Sequence, residues 1–302
     1  MYELTLGRRK VTITHPDKIL FPRAKITKDD LVDYYLDVAD LMLPYMKNRL
    51  ITMQRFVNGI SKEGFYQKNA PDYFPKWIKT VPLTKKEDGK VNYVACNDVA
   101  TLMYLVNQVT ITFHVWLSKI DKLDYPDKMI FDFDPSIKGF APIRTAARNL
   151  KKLLEDELGL LAFLMTTGSR GVHVVVPLDR RADFDTVREF ARDVADIMAE
   201  RYPKNLTTEI RKTKRGKKVF IDYLRNAFAQ TGVAPYSVRP KPGAPIATPI
   251  EWEELGRVKP DSFTIKNIFK RLSRRECPWK NFGKKKCSLK HARKLLNKLV
   301  EE

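Results

Sequence analysis

The stretch that most restricts the fold is Met129-Ile-Phe-Asp-Phe-Asp-Pro135. A short apolar run ended by proline reads as a strand, and successive strand residues point to opposite faces. Phe131 and Phe133 then anchor a core on one face, while Asp132 and Asp134 project together from the other. Two carboxylates that close repel, and a divalent cation between them relieves the repulsion. Oxygen ligands suit Mg²⁺ or Mn²⁺, with substrate phosphates completing the shell. Taken alone, the pair also fits a plain strand end at which acids meet solvent.

Three further segments carry polar residues in apolar settings. In Thr166-Thr-Gly-Ser-Arg-Gly-Val-His-Val-Val-Val-Pro-Leu178, one strand runs into Gly168 and Gly171 and a second leaves. Glycines let backbone N–H groups approach phosphate oxygens, and Ser169, Arg170 and His173 add donors. A glycine-rich hairpin with incidental polar residues is the plainer account. In Lys218-Val-Phe-Ile-Asp-Tyr-Leu224, Asp222 interrupts an apolar strand. A lone buried carboxylate is costly unless paired or metal-bound. It either pairs with Arg225 or joins the first two aspartates at a shared centre, where two metals can activate a hydroxyl and neutralise a leaving phosphate. Arg239 lies between prolines in Ala234-Pro-Tyr-Ser-Val-Arg-Pro-Lys-Pro-Gly243. It is either an arginine of restricted freedom aimed at phosphate or a surface side chain. His114, on a strand, reads first as a structural histidine.

The spacing around these segments predicts an α+β fold. From 129 to 224 the order is strand, helix, strand, strand, helix, strand, strand, with helices on one face of a mainly antiparallel sheet. A strand is expected over 11–14, followed by a helix capped by Thr27 and Asp30 that weakens at Pro44. Further strands are expected over 50–57 and 111–117, with a helix within 95–107. A helix over 141–158 closes on Gly159, and Asp183 caps the next. Strands over 207–210 and 219–224 flank a basic hairpin, 211–218, with Gly216 at its tip. The loop 58–72 carries Phe65 and Tyr66, which either pack locally or make contacts. A basic helix begins near Ser288.

Charge bounds the partners. The 302 residues hold 56 Lys plus Arg against 36 Asp plus Glu, a net charge of +20, in a composition 43% hydrophobic. Such a chain is globular and attracts polyanions, nucleic acid foremost. No apolar run approaches the ~20 residues that span a bilayer, and the N-terminus lacks a signal-peptide core. Cys96, Cys277 and Cys287 make no disulfide framework, which points to a cytoplasmic protein. Cys277, Cys287 and His291 lack the tight spacing of a structural zinc site.

Together these segments resemble the polymerase domain of bacterial DNA ligase D and its stand-alone archaeal relatives, within the archaeo-eukaryotic primase superfamily. The matching stretches are Ile13-Thr-His-Pro-Asp-Lys-Ile-Leu-Phe-Pro22, Asp132-Phe-Asp-Pro135, Thr167-Gly-Ser-Arg-Gly-Val-His173, Ile221-Asp-Tyr-Leu-Arg-Asn226, Ala234-Pro-Tyr-Ser-Val-Arg239, Pro242-Gly-Ala-Pro and Thr248-Pro-Ile-Glu-Trp252. They occur in family order over most of the chain. The resemblance implies a primase-like fold of two β-sheets with flanking helices and an active-site cleft between them, residues 1–302 forming one primase-polymerase catalytic domain without a ligase or nuclease domain. It implies nucleotide addition to 3′-hydroxyl ends at gaps and double-strand breaks in non-homologous end joining, with a preference for ribonucleotides and Mn²⁺.

By the same resemblance Asp132, Asp134 and Asp222 hold two divalent ions. Ser169, Arg170, His173 and Arg239 contact the incoming nucleoside triphosphate, with Arg170 standing where the family commonly has Lys. His114 lies near the nucleotide sugar, and Lys18 and Lys28 grip a downstream 5′-phosphate. Phe65 and Tyr66 lie near the template, and Arg215 sits in a loop that helps DNA ends meet. Gln54 departs from the pattern, standing where a basic residue is expected near the nucleotide. Separate ligase, nuclease and Ku-like partners are implied. Two rivals remain: a replicative primase that starts chains de novo, for which a 5′-phosphate site is pointless, and a non-enzymatic nucleic-acid-binding module accounted for by the charge alone.

Overall fold

The computed structural model describes residues 1–85, 89–135 and 139–301, the side chains of Lys85, Asp134 and Pro135 excepted. The chain divides into two compact units. One comprises Met1–Trp116, Thr231–Ala247 and Phe263–Arg274; the other comprises Leu117–Gln230, Thr248–Ser262 and Arg275–Glu302.

The first unit is built on a four-stranded antiparallel sheet. Its strands run in the order Thr231–Val233, Thr110–Trp116, Ile51–Arg55, Phe65–Gln67. All seven residues of Thr110–Trp116 are buried, so this strand has no solvent-facing side. Thr27 caps the helix Lys28–Asp37 through the expected reciprocal bonds with Asp30. The helical stretch breaks at Val38, and a second helix, Ala39–Met46, carries Pro44 inside it. The break expected at proline thus falls six residues earlier, at a fully buried β-branched residue of non-helical backbone. Asp98 caps Val99–Asn107 as expected. The strand expected over 11–14 is Arg9–Ile13, and its partner Tyr2–Leu6 completes an N-terminal hairpin. The loop 58–72 is also partly ordered, since Phe65–Gln67 pairs with Ile51–Arg55.

The second unit holds a six-stranded sheet in the order Leu206–Thr207, Val219–Asp222, Lys128–Pro135, Val172–Pro177, Phe163–Thr166, Thr248–Ile250. The aspartate strand Lys128–Pro135 is central, with Phe131 and Phe133 fully buried as the alternation demands. Two helices, Ala141–Lys152 and Phe184–Arg201, pack on this sheet. The first continues as one π-helical turn, Leu153–Glu157, before Gly159 takes a φ of +65°. Asp183 caps the second through Thr186. Residues 211–218 do not form the expected hairpin. The flanking strands pair in parallel, Leu206 opposite Val219 and Thr207 opposite Phe220, so a hairpin turn cannot join them. Among the described residues, no helix is long and apolar enough to cross a membrane.

Candidate active site

Strand pairing does what spacing could not show. In the second unit Asp132 lies directly opposite Asp222 on one side and opposite His173 on the other. Residues opposed across an antiparallel pair share a face with Cβ atoms ~5 Å apart. The sheet therefore sets two carboxylates and an imidazole side by side. Asp134 follows two residues later on the same strand, its backbone opposite Phe220, and its side chain lies outside the described residues.

Arg225 is the balancing charge. Its Nε donates to Asp132 Oδ2 at 2.8 Å and lies 3.7 Å from Asp222 Oδ2. His173 Nε2 stands 3.5 Å from the same Asp132 oxygen, while its Nδ1 is buried with no hydrogen-bond partner among the described residues. Burial raises the pKa of Asp132, but His173 and Arg225 outweigh it and hold the carboxyl well below its usual range. Asp222 moves the other way. Burial and the neighbouring Asp132 charge raise its pKa, and Arg225 offsets them only in part. One acid is thus held ionised while its neighbour resists ionisation, the imbalance that a cation between them removes.

Among the described residues, no three His, Cys, Asp or Glu side chains form a metal cluster. The two opposed carboxylates fit a hard divalent ion, being oxygen donors that keep some access to solvent at 14% and 20% side-chain exposure, and the strand of Asp132 also carries Asp134. The glycine loop lies beside them. Thr167 Oγ1 donates to Gly171 O at 3.0 Å and closes the turn, and Gly168 has a φ of +64°. A Cβ on Gly171 would fall 2.1 Å from Phe133 O, so only glycine lets the loop lie against the aspartate strand. Ser169 is half-buried and Arg170 exposed on this loop.

Sequence reasoning missed the residue that holds this arrangement. Asn226, fully buried, accepts from Ile130 N and donates to Ile130 O, both at 2.8 Å. It straps the turn Leu224–Asn226, and with it Arg225, to the aspartate strand. The run Ile221-Asp-Tyr-Leu-Arg-Asn226 contained both residues, but nothing local marked them as partners of residues ~95 positions away.

The remaining site residues belong to the first unit. His114 lies opposite Thr52, and the Tyr66 ring packs edge-on to it with centroids 5.6 Å apart. Gln54 stands opposite both Tyr66 and Thr112 on the same sheet face. Gln54 Oε1 and Thr52 Oγ1 are buried without a hydrogen-bond partner among the described residues. Phe65 and Tyr66 are 46% and 59% exposed, with the Arg55 guanidinium 5.5 Å from the Phe65 ring. Arg239 ends a segment locked to this strand, since Phe113 N donates to Ser237 Oγ at 2.8 Å and Thr112 Oγ1 to Val238 O at 2.7 Å.

Lys18 and Lys28 meet. Lys28 N donates to Lys18 O at 2.8 Å, and Lys28 Nζ, 2% exposed, reaches Thr14 O and Thr14 Oγ1. Burial first and then the Lys18 charge lower its pKa to about 8. Arg215, by contrast, is turned inward at 6% exposure. It stacks 3.7 Å from the Phe220 ring and donates to the carbonyls of Glu209 and Ile210, leaving Arg211, Lys212, Lys214 and Lys217 exposed around it. Its side chain therefore braces the loop from within.

The central strand thus brings opposed carboxylates beside a glycine loop, within a mixed chain of helices and sheets. The chain matches the family model for the LigD primase-polymerase domain over residues 27–279, and it belongs to that family. It is 34% identical over 276 residues to the bifunctional non-homologous end joining protein LigD of Bacillus subtilis, covering 90% of this chain and 44% of the relative. It is 31% identical over 277 residues to the multifunctional LigD of Pseudomonas aeruginosa, covering 90% and 33%. The chain therefore spans less than half the length of these relatives. Among solved structures, the polymerase domain of Mycobacterium tuberculosis ligase D in complex with DNA superposes with a TM-score of 0.85. That match is at 27% identity and covers 92% of this chain and 99% of the other.

Proposed function

We propose that this chain is a DNA end-joining polymerase that adds nucleotides, ribonucleotides by preference, to 3′-hydroxyl ends at gaps and breaks. The observation that carries the reading is the opposition of Asp132 to Asp222 across paired strands, with His173 on the other flank, in a primase-polymerase family member. Asp132, Asp134 and Asp222 would hold two Mn²⁺ or Mg²⁺ ions. Bound there, such ions lower the pKa of an attacking hydroxyl and neutralise a leaving pyrophosphate, so no side chain need be a strong general base.

The chain's own residues bind and orient. Ser169, Arg170 and His173 offer a hydroxyl, a guanidinium and an imidazole to a triphosphate, and Arg239 offers a second guanidinium. His114, Gln54 and Thr52 present polar atoms from one sheet face to the nucleotide sugar. Lys18 and Lys28 form a cationic pair for a terminal phosphate. Arg225 holds Asp132 and Asp222 apart from each other's charge before the ions arrive. DNA with gaps, overhangs or breaks is the polymeric substrate, and the polymerase works alone or recruits a separate ligase, nuclease and Ku-like protein.

The test is extension of a primer on a gapped duplex with and without a downstream 5′-phosphate, comparing ribo- and deoxyribonucleotides in Mn²⁺ and Mg²⁺. Extension that depends on the 5′-phosphate supports the proposal over a de novo primase. Replacing Asp132 and Asp222 by Ala abolishes extension and leaves duplex binding intact. Extension by that double variant rejects the site, and a wild-type protein that incorporates nothing reduces the chain to a binding module.

A further inference from the structure

A strongly charged segment outside the candidate active site is the C-terminal strap, residues 280–302, which lies beyond the stretch matched by the family model. It holds eight Lys or Arg against two Glu. Its apolar side accounts for its attachment to the second unit. Trp279 and Phe282 stack at 5.0 Å and meet Phe163, and Trp279 Nε1 donates to Leu164 O at 3.0 Å. Cys287 N donates to Pro177 O at 2.9 Å, joining the strap to the end of Val172–Pro177. In the helix Leu289–Glu301, Leu289, Ala292 and Leu296 are buried, and Arg293 pairs with Asp193 over the Phe190 ring.

The lysines take no part in that attachment. Lys284, Lys285, Lys286, Lys290, Lys294 and Lys298 are all exposed, and the ion pairs of this region among the described residues include Lys280 with Glu276 and Arg293 with Asp193. Lys290, Lys294 and Lys298 repeat every fourth residue, so they form one stripe on the helix surface. Like charges at that spacing repel and destabilise a helix. The order of charge is also wrong for the helix. Lys290 stands in its first turn, where no acidic residue stands, Lys284, Lys285 and Lys286 precede the helix in sequence, and Glu301 sits at its negative end. The helix tolerates two unfavourable electrostatic arrangements that an external anion would relieve.

We infer that this stripe is a second nucleic-acid surface, which binds the phosphate backbone of double-stranded DNA without reading its sequence. The lysines lie about 6 Å apart along the axis, close to the rise of two phosphates on one strand, about 7 Å. The strap's aromatic rings are buried, so its exposed face offers charge and no stacking platform, as backbone contact requires. The groove beside the start of the helix is lined by Asp179 and Asp183 together with Arg181, Arg293 and Lys290, so Lys290 stands where that groove meets the stripe. The inference takes from the proposed function only that DNA is the relevant polyanion.

The experiment titrates the whole chain with a short blunt duplex lacking 5′-phosphates, by fluorescence anisotropy, between about 50 and 200 mM KCl. Each lysine that neutralises a phosphate contributes about 0.9 to the slope of log affinity against log salt. Changing Lys290, Lys294 and Lys298 together to Gln is expected to make the slope shallower by about 2 to 3, and changing them to Arg to leave it unaltered. Slopes of the three single variants serve the same purpose if the triple variant melts. An unchanged slope in the folded Gln variants overturns the inference. Nucleotide addition at low salt on saturating DNA stays at the wild-type level in the triple variant. A wild-type chain that adds no nucleotide would overturn the function proposed above and leave this surface standing.

Discussion

Lys28 shows how one side chain can couple affinity to pH. Its ammonium is buried without a carboxylate partner and beside a second lysine, so its pKa falls from the ordinary 10.5 to about 8. The folded protein therefore releases this proton at lower pH than the unfolded chain does. Between about pH 8 and 10.5 the unfolded state binds more protons, and Lys28's contribution to stability rises with pH. Phosphate binding moves in the opposite sense, since only the charged form attracts an anion. We expect stimulation of extension by a downstream 5′-phosphate to be full at pH 7 and to decline as pH rises through about 8. In Lys28→Met it is weak throughout, while stability at pH 7 is unchanged or higher. Stimulation by the 5′-phosphate that is flat between pH 7 and 9 in the wild type would remove Lys28 from that role. Asn226 makes the contrasting case of a neutral residue that matters through geometry. Asn226→Ala strands a buried N–H and a buried C=O of Ile130, so denaturant unfolding should show a loss of about 2–4 kcal/mol. A loss below about 0.5 kcal/mol would mean that the strap from Leu224–Asn226 to the aspartate strand is not needed.

At the level of elements, the candidate site depends on three strands meeting in one register, and Gly171 guards it. Any side chain there drives into the Phe133 carbonyl, a backbone atom that cannot swing aside. Gly171→Ala should cost about 1–3 kcal/mol and displace His173 relative to Asp132. Extension then falls at least as steeply as stability, measured by primer extension beside thermal melting, and full activity would show that the loop has room. The same register accounts for how far the site was legible in the sequence. Asp132 and Asp134 stood out because alternation is local, and the Thr27 cap and the Asp183 cap were legible for the same reason. The opposition of Asp132 to Asp222 was not, because strand pairing joins residues 90 apart whose spacing carries no trace of it. The parallel pairing of Leu206–Thr207 was hidden in a strand too short to show a period, which is why 211–218 read as a hairpin. The Tyr2–Leu6 strand did carry its signal, half-buried Tyr2, Leu4 and Leu6 alternating with exposed residues, and went unread. Arg215 was singled out by the family resemblance alone, and nothing local in the sequence showed that its side chain packs inward on Phe220.

For the molecule as a whole, the net charge of +20 acts on folding and on binding in opposite directions. Surplus positive charge repels itself in the compact state and attracts DNA. Added salt weakens both effects, since the screening length falls to ~10 Å at 0.1 M. Stability of the free protein should therefore rise as NaCl increases from about 50 to 300 mM, while affinity for duplex DNA falls steeply, by ~10³ or more if six or more phosphates are contacted. Chloride is the right anion for this comparison, because sulfate stabilises any fold by exclusion from its surface. DNA supplies an independent check. A ligand that binds only the folded state raises its melting temperature by mass action, so DNA should stabilise the chain strongly at low salt and hardly at all at high salt. The melting curves of free and DNA-bound protein then converge as salt rises, the free one from below. If the melting temperature of the free chain falls with added NaCl instead, its surface charges are paired and not self-repelling, and the polyanion argument loses its footing.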